Sequence, residues 1–194
     1  MSSFFYIFLV SLPLASLTNG DADLIQKTCK ITNYYDLCVS TLESDPTSMG
    51  LDTKGLVLIL VRVATANATN TSTFLSSESL STTNDTTLKK VLKECSDKYV
   101  YAGDALRASV QDLASESYDY ASMHVMAAAD YPNACHNTFI GYPKLIYPQE
   151  IARREDALKH LCDLILDIIR YFDKLTVFFL WYYNFFGAKK IAIV

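Results

Sequence analysis

The fold turns on one stretch, "LKKVLKECSDKYVYAGDALRASVQDL", residues 88–113. Leu88, Cys95, Ala102 and Ser109 recur every seven positions, and Leu92, Tyr99, Leu106 and Leu113 fill the complementary set. An a/d seam carried over four heptads is what a helix presents when it packs along its whole length inside a bundle. Gly103 sits beside the seam, where it costs about 1 kcal/mol of propensity relative to alanine. That is too little to break a helix with so continuous an apolar stripe.

Outward from this seam, residues 51–75 place Leu56, Val57, Leu60, Val63, Ala64, Thr71, Phe74 and Leu75 on one broad face at about 100° per residue. A third helix is expected over 117–130, with Tyr118, Ala121, Val125 and Ala128 on one side and Ser117 as its N-cap. "YPNAC" (131–135) interrupts it, and "GYPKLIYP" (141–148) reads as a loop with two prolines. A fourth helix begins at Pro148, a favoured first-turn residue, and carries Ile151, Leu158, Leu161, Ile165, Ile168 and Phe172 inward. Little in the chain alternates with a period of two. The expected fold is all-α, an up-and-down four-helix bundle preceded by two short helices that flank "TNYYD" (32–36).

The compartment follows from the first twenty residues, "MSSFFYIFLVSLPLASLTNG". Phe4 to Leu17 carries no charge, and Thr18 and Gly20 are small enough for a signal-peptidase site, so residues 1–20 read as a secretory signal. The run is shorter than the roughly 20 residues a spanning helix needs. What remains is enough for one domain with a real core. A net charge of −4 without a Lys/Arg cluster argues against nucleic acid as a partner.

Five cysteines in a secreted chain suggest two disulfides and one leftover thiol, and four paired cysteines allow three connectivities. Cys29 and Cys38 lie too far apart for a thiol redox motif or a zinc knuckle. A bond between them would staple the two short helices into a hairpin, worth about 2.7 kcal/mol in the chain-entropy picture. A bond from Cys95 to Cys135 would tie neighbouring helices, worth about 3.9 kcal/mol. Cys162, on the apolar side of the last helix, is left as a buried free thiol.

Enzyme signatures are absent. His124, His136 and His160 are scattered, with no zinc-protease motif, nucleophile elbow or phosphate loop, so neither catalytic residues nor a cofactor or small-molecule substrate is implied. "MHVM" (123–126) reads as helix packing rather than a metal site, and "RRED" (153–156) as a salt-bridged helix surface. Sequons begin at Asn67, Asn70 and Asn84. Asn84, in a Ser/Thr-rich connection, is the best glycan acceptor and Asn70 the next. Asn67 points along the apolar face and reads as a buried, hydrogen-bonded amide.

At residue 173 the chain enters an atypical extension, with "LTVFFLWYYNFFG" (175–187) followed by "AKKIAIV". Its apolar centre, Val177 to Phe186, is too short to span a bilayer. An interfacial membrane patch, a partner-binding extension and an alternative terminus are the three readings. The last fits best with a domain already complete near Phe172.

Together these residues carry a resemblance. The leading apolar segment, "CKITNYYDLC" (29–38), a long helix, "LKECSDKY" (92–99), a third helix ending in "AAADYPNAC" (127–135) and a fifth cysteine in the last helix resemble the plant invertase and pectin methylesterase inhibitor family over about residues 21–172. The resemblance implies the pairs Cys29–Cys38 and Cys95–Cys135, with Cys162 free. It also implies a non-enzymatic, extracellular or vacuolar protein that binds a carbohydrate-acting enzyme one to one and blocks its cleft. Invertase inhibitors of this family typically carry Pro-Lys-Phe near the start of the third bundle helix, where this chain has Tyr118, Asp119 and Tyr120. A negative charge set against catalytic carboxylates is repulsive, so Asp119 tilts this reading toward pectin methylesterase as the target. Invertase is the alternative, and a structural or storage bundle without inhibitory contacts is a third. Tyr120 and Tyr131 are the candidate aromatic anchors, with Tyr118 and Asp119 as companions.

Overall fold

The computed structural model describes the backbone of residues 15–82 and 84–182 and the side chains of residues 22–82 and 84–174. Six α-helices and one 3-10 turn follow in order: α1 (Ala15–Cys29), α2 (Tyr35–Glu43), the turn (Pro46–Ser48), α3 (Thr53–Ser81), α4 (Thr86–Ala114), α5 (Tyr118–Ile140) and α6 (Gln149–Tyr182). Helices α3 to α6 each pack on their sequence neighbour, and α3 closes the ring against α6. This is the four-helix bundle, with α1 and α2 as a hairpin leaning on α3.

The heptad seam lies in the centre. Cys95, Ala102, Ser109, Tyr99, Leu106 and Leu113 are fully buried and Leu92 nearly so, while Leu88 at the end of the seam is half-buried. From α6 come Ile151, Leu158, Leu161, Ile165 and Ile168, as the periodicity predicts. The long bundle helices start where their caps dictate. Asp52 Oδ1 accepts from the Gly55 amide at 2.8 Å, and Asp85 Oδ1 from the Leu88 amide at 2.9 Å, satisfying donors that the first turn leaves open. Ser117 occupies the N-cap position of α5 without a side-chain capping bond, its hydroxyl standing 3.2 Å from that of Ser115.

Helix α3 runs on to Ser81, past the expected Leu75, and the boundaries of α5 and α6 also differ from the sequence reading. Helix α5 does not stop at Asp130 but runs through Pro132 to Ile140. A mid-helix proline costs about 3 kcal/mol, but Pro132, Cys135 and Phe139 continue the stripe of Val125 and Ala128 into the core. Ending the helix at Asp130 would surrender that burial. Pro148 precedes α6 instead of opening it. Helix α6 also continues past Phe172 to Tyr182, so the extension begins as helix, while residues 183–194 lie outside the described residues. Among the described residues, no helix is long and apolar enough to cross a membrane.

At the other end, residues 1–14 lie outside the described residues, and α1 already includes Gly20. Cleavage there would trim the start of α1 and leave the part that buries Ile25 and Cys29.

The structure joins Cys29 to Cys38 and Cys95 to Cys135, and Cys162 is a buried free thiol. Burial pushes that thiol up to about 12, which keeps it protonated and unreactive. The hairpin is fastened at its turn as well. The Asn33 backbone and side-chain amides both donate to Asp167 Oδ2 at 3.2 Å, and the Tyr34 ring stacks on His160 at 4.3 Å.

Gly103 is buried on α4, and a Cβ there would meet only Arg107 side-chain atoms, none closer than 3.5 Å. Gly103→Ala therefore removes a helix penalty without a clash. It is expected to stabilise the fold by about 0.5–1 kcal/mol, read as a raised Tm in thermal unfolding. A lowered Tm would show that the helix needs the closer approach.

Candidate target-binding surface

On α5 the core stripe of Ala121, Val125, Ala128, Pro132 and Cys135 faces inward, so 3.6 residues per turn puts Asp119, Met123, Met126 and Asp130 outward. Tyr120 flanks them, 62% exposed, and Met123 is 58% exposed. These methionines overturn the packing role read from "MHVM". Val125 alone of that segment is in the core, and His124 turns to α4, its Nδ1 2.6 Å from Asp112 Oδ2. Flexible, polarizable thioethers set outward beside a tyrosine give an adaptable apolar contact surface.

The four sequence candidates do not form one patch. Tyr118 is half-buried and packs its ring against Phe172 of α6 at 5.6 Å, which makes it part of the bundle. Asp119 is exposed in the first turn of α5, where the helix dipole favours a carboxylate. Tyr131 is half-buried against the core and tilts on Tyr101 of α4 at 5.7 Å. It lies about 16 Å along the helix from Tyr120, at 1.5 Å per residue. Tyr101 is half-exposed and continues the aromatic surface onto α4. Sequence reasoning missed Tyr101, Met123 and Met126. None of the three belongs to the apolar stripe of its own helix, but their exposure appears only once the helices are packed.

Further round, the "RRED" segment is only half a surface. Arg153 and Arg154 pair with Glu150, and Arg154 lies over the Phe74 ring at 4.3 Å. Glu155 instead points inward and is 5% exposed. It accepts from Tyr147 Oη at 2.7 Å and Lys159 Nζ at 2.9 Å, and His136 Nδ1 stands 3.3 Å away. His136 stacks on the Tyr147 ring. Burial pushes the Glu155 carboxyl up, but the bonds from Lys159, Tyr147 and His136 outweigh it and hold the group below the usual carboxylate range. This cluster binds the α5–α6 connection to both helices. It is a structural clamp between the connection and the bundle.

The sequence pattern of one family matches across residues 23–168: the plant invertase/pectin methylesterase inhibitors. The chain belongs to this family. Among its relatives, the Arabidopsis thaliana cell wall / vacuolar inhibitor of fructosidase 2 is 47% identical over 173 residues, spanning 87% of this chain and 96% of that protein. Pectinesterase inhibitor 28 of Oryza sativa subsp. japonica is 38% identical over 164 residues, covering 81% and 72% respectively. The Actinidia deliciosa pectinesterase inhibitor is 33% identical over 162 residues, with 84% and 86% covered. A crystal structure of a mutant pectin methylesterase inhibitor from Arabidopsis superposes with a TM-score of 0.60 at 22% identity, over 75% of this chain and 95% of that one. This likeness speaks for the shared bundle. Members of the family are inhibitors, not enzymes, so an exposed face matters here more than any cleft.

Proposed function

We propose that this protein is a secreted inhibitor that plugs the substrate cleft of a cell-wall or vacuolar invertase, one inhibitor per enzyme. The observation that carries the choice of target is the 47% identity to a fructosidase inhibitor along nearly its full length, against 38% and 33% to pectinesterase inhibitors. The outward face of α5, extended by Tyr101, supplies the contact surface, and the disulfides and the Glu155 clamp keep it rigid. Rigidity matters because a preorganised plug loses little conformational entropy on docking. Destination in the cell wall or vacuole is supported by the leading apolar segment and by the location in the name of the Arabidopsis thaliana relative.

Pectin methylesterase is the second reading, and Asp119 is the observation that favours it. Its position in the first turn of α5 supplies a local reason for the negative charge, which lowers its weight as a marker of target. Titrating the mature protein against one invertase and one pectin methylesterase is expected to abolish invertase activity near a one-to-one ratio. Loss of esterase activity alone would reverse the order of the two readings. Loss of neither would leave a structural bundle.

Asp119→Lys separates interface from surface. Facing an acidic cleft, the new ammonium is expected to tighten invertase inhibition about tenfold, or roughly 1.4 kcal/mol. An unchanged inhibition constant would place Asp119 outside the contact.

A further inference from the structure

Between α3 and α4 runs an open groove of about 600 Å³, within the roughly 300–1,000 Å³ of sites that hold a drug-sized molecule. Leu58, Thr65, Ala66, Thr69 and Val110 form its floor. The Thr65 and Thr69 hydroxyls bond back to their own helix, at 2.8 Å to Val61 O and 2.9 Å to Thr65 O. Two guanidinium groups also line it, Arg62 paired with Asp45 and Arg107 paired with Asp104. An apolar floor beside N–H donors suits a sugar ring, which has a C–H face and a hydroxyl edge. Asn70, exposed and the first residue of a sequon, lies in the wall of this groove.

We propose that Asn70 carries an N-linked glycan whose first sugars lie in the α3–α4 groove and withdraw that face from target binding. The inference rests on the secreted reading, because the donor is a polyprenyl-diphosphate-linked oligosaccharide of the secretory compartment. The Asn70 amide nitrogen attacks the anomeric carbon of the reducing-end N-acetylglucosamine. A C–N bond forms, the C–O bond to the diphosphate breaks, the polyprenyl diphosphate leaves and the amide proton is lost to base. In the folded chain the Ser72 hydroxyl, third in the sequon, is buried 3.0 Å from that of Ser96. Transfer therefore precedes the packing of α3 on α4.

Asn67, three residues earlier, differs. Its Oδ1 is buried without a hydrogen-bond partner among the described residues, which corrects the bonded amide read from sequence, and its side chain is half-buried and does not line the groove. Asn84, exposed in the α3–α4 connection, can be modified without reaching the groove wall and serves as the internal control.

The test uses the full chain secreted from plant cells, with Asn70→Gln and Asn84→Gln variants. Glycopeptide mapping is expected to find Asn70 occupied. Hydroxyl-radical footprinting should oxidise Leu58 and Val110 several-fold more slowly in the glycosylated protein than in Asn70→Gln, with protection retained in Asn84→Gln. Inhibition should be equal in all three. Bare Asn70 beside an occupied Asn84, equal oxidation rates, or lost inhibition in Asn70→Gln would each overturn the proposal. Retention of the chain inside the cell, with both sites bare, would instead overturn the secreted reading on which it stands.

Discussion

Replacing Cys95 and Cys135 together by alanine is expected to lower stability by about 4 kcal/mol. The bond closes a loop of 40 residues between α4 and α5, and releasing it returns that much chain entropy to the unfolded state. Both sulfurs are fully buried, so small cavities add to the loss. For a domain of this size the change corresponds to a Tm lower by about 8–16 °C. The same double substitution at Cys29 and Cys38 opens a smaller loop and is expected to cost about 2.7 kcal/mol. Its effect falls on the hairpin, which Asn33 and Tyr34 still hold to α6. Thermal unfolding of both variants checks the order. Equal losses would mean that the hairpin is as integral to the bundle as the α4–α5 bond.

Glu155→Ala is expected to cost about 3 kcal/mol, because it strips three polar partners from a buried site. Tyr147→Phe removes one of those bonds and should cost only about 1 kcal/mol. The pH dependence has a definite sign. The folded carboxyl is held below its ordinary value, so its contribution is fully present above the unfolded pKa of about 4.3 and is lost as pH falls through the folded value. The groups facing it are Tyr99 from α4, His136 from α5, Tyr147 from the connection and Lys159 on α6. The stability gap between wild type and Glu155→Ala should therefore be widest near neutrality and shrink in strong acid. A gap constant from pH 7 to pH 2, measured by denaturant unfolding, would show that the carboxylate charge contributes nothing.

This clamp also marks the limit of what sequence reading reached. The "RRED" run reads as a solvated face because charge usually signals solvent. One of its four members nonetheless turns inward, where Tyr147, His136 and Lys159 converge from three segments. No local pattern reports such a convergence, since the partners lie up to 19 residues away. "MHVM" failed for the opposite reason. Composition says that methionine is apolar, but only the phase of α5 against the core says that Met123 and Met126 face out.

The amino-acid sequence determined whatever depends on nearest neighbours along a helix: the α4 seam, the core stripe of α6, and a bundle with stapled short helices at its front. Tertiary packing decided the rest. It carried α5 through Pro132, because the burial of Cys135 and Phe139 outweighs the local cost of a proline. It joined Tyr118 to Phe172 and Tyr131 to Tyr101, which divides the four sequence candidates between core and surface. Local rules fix which residues can share a face, whereas which face meets solvent is settled only by the helices packed beside it.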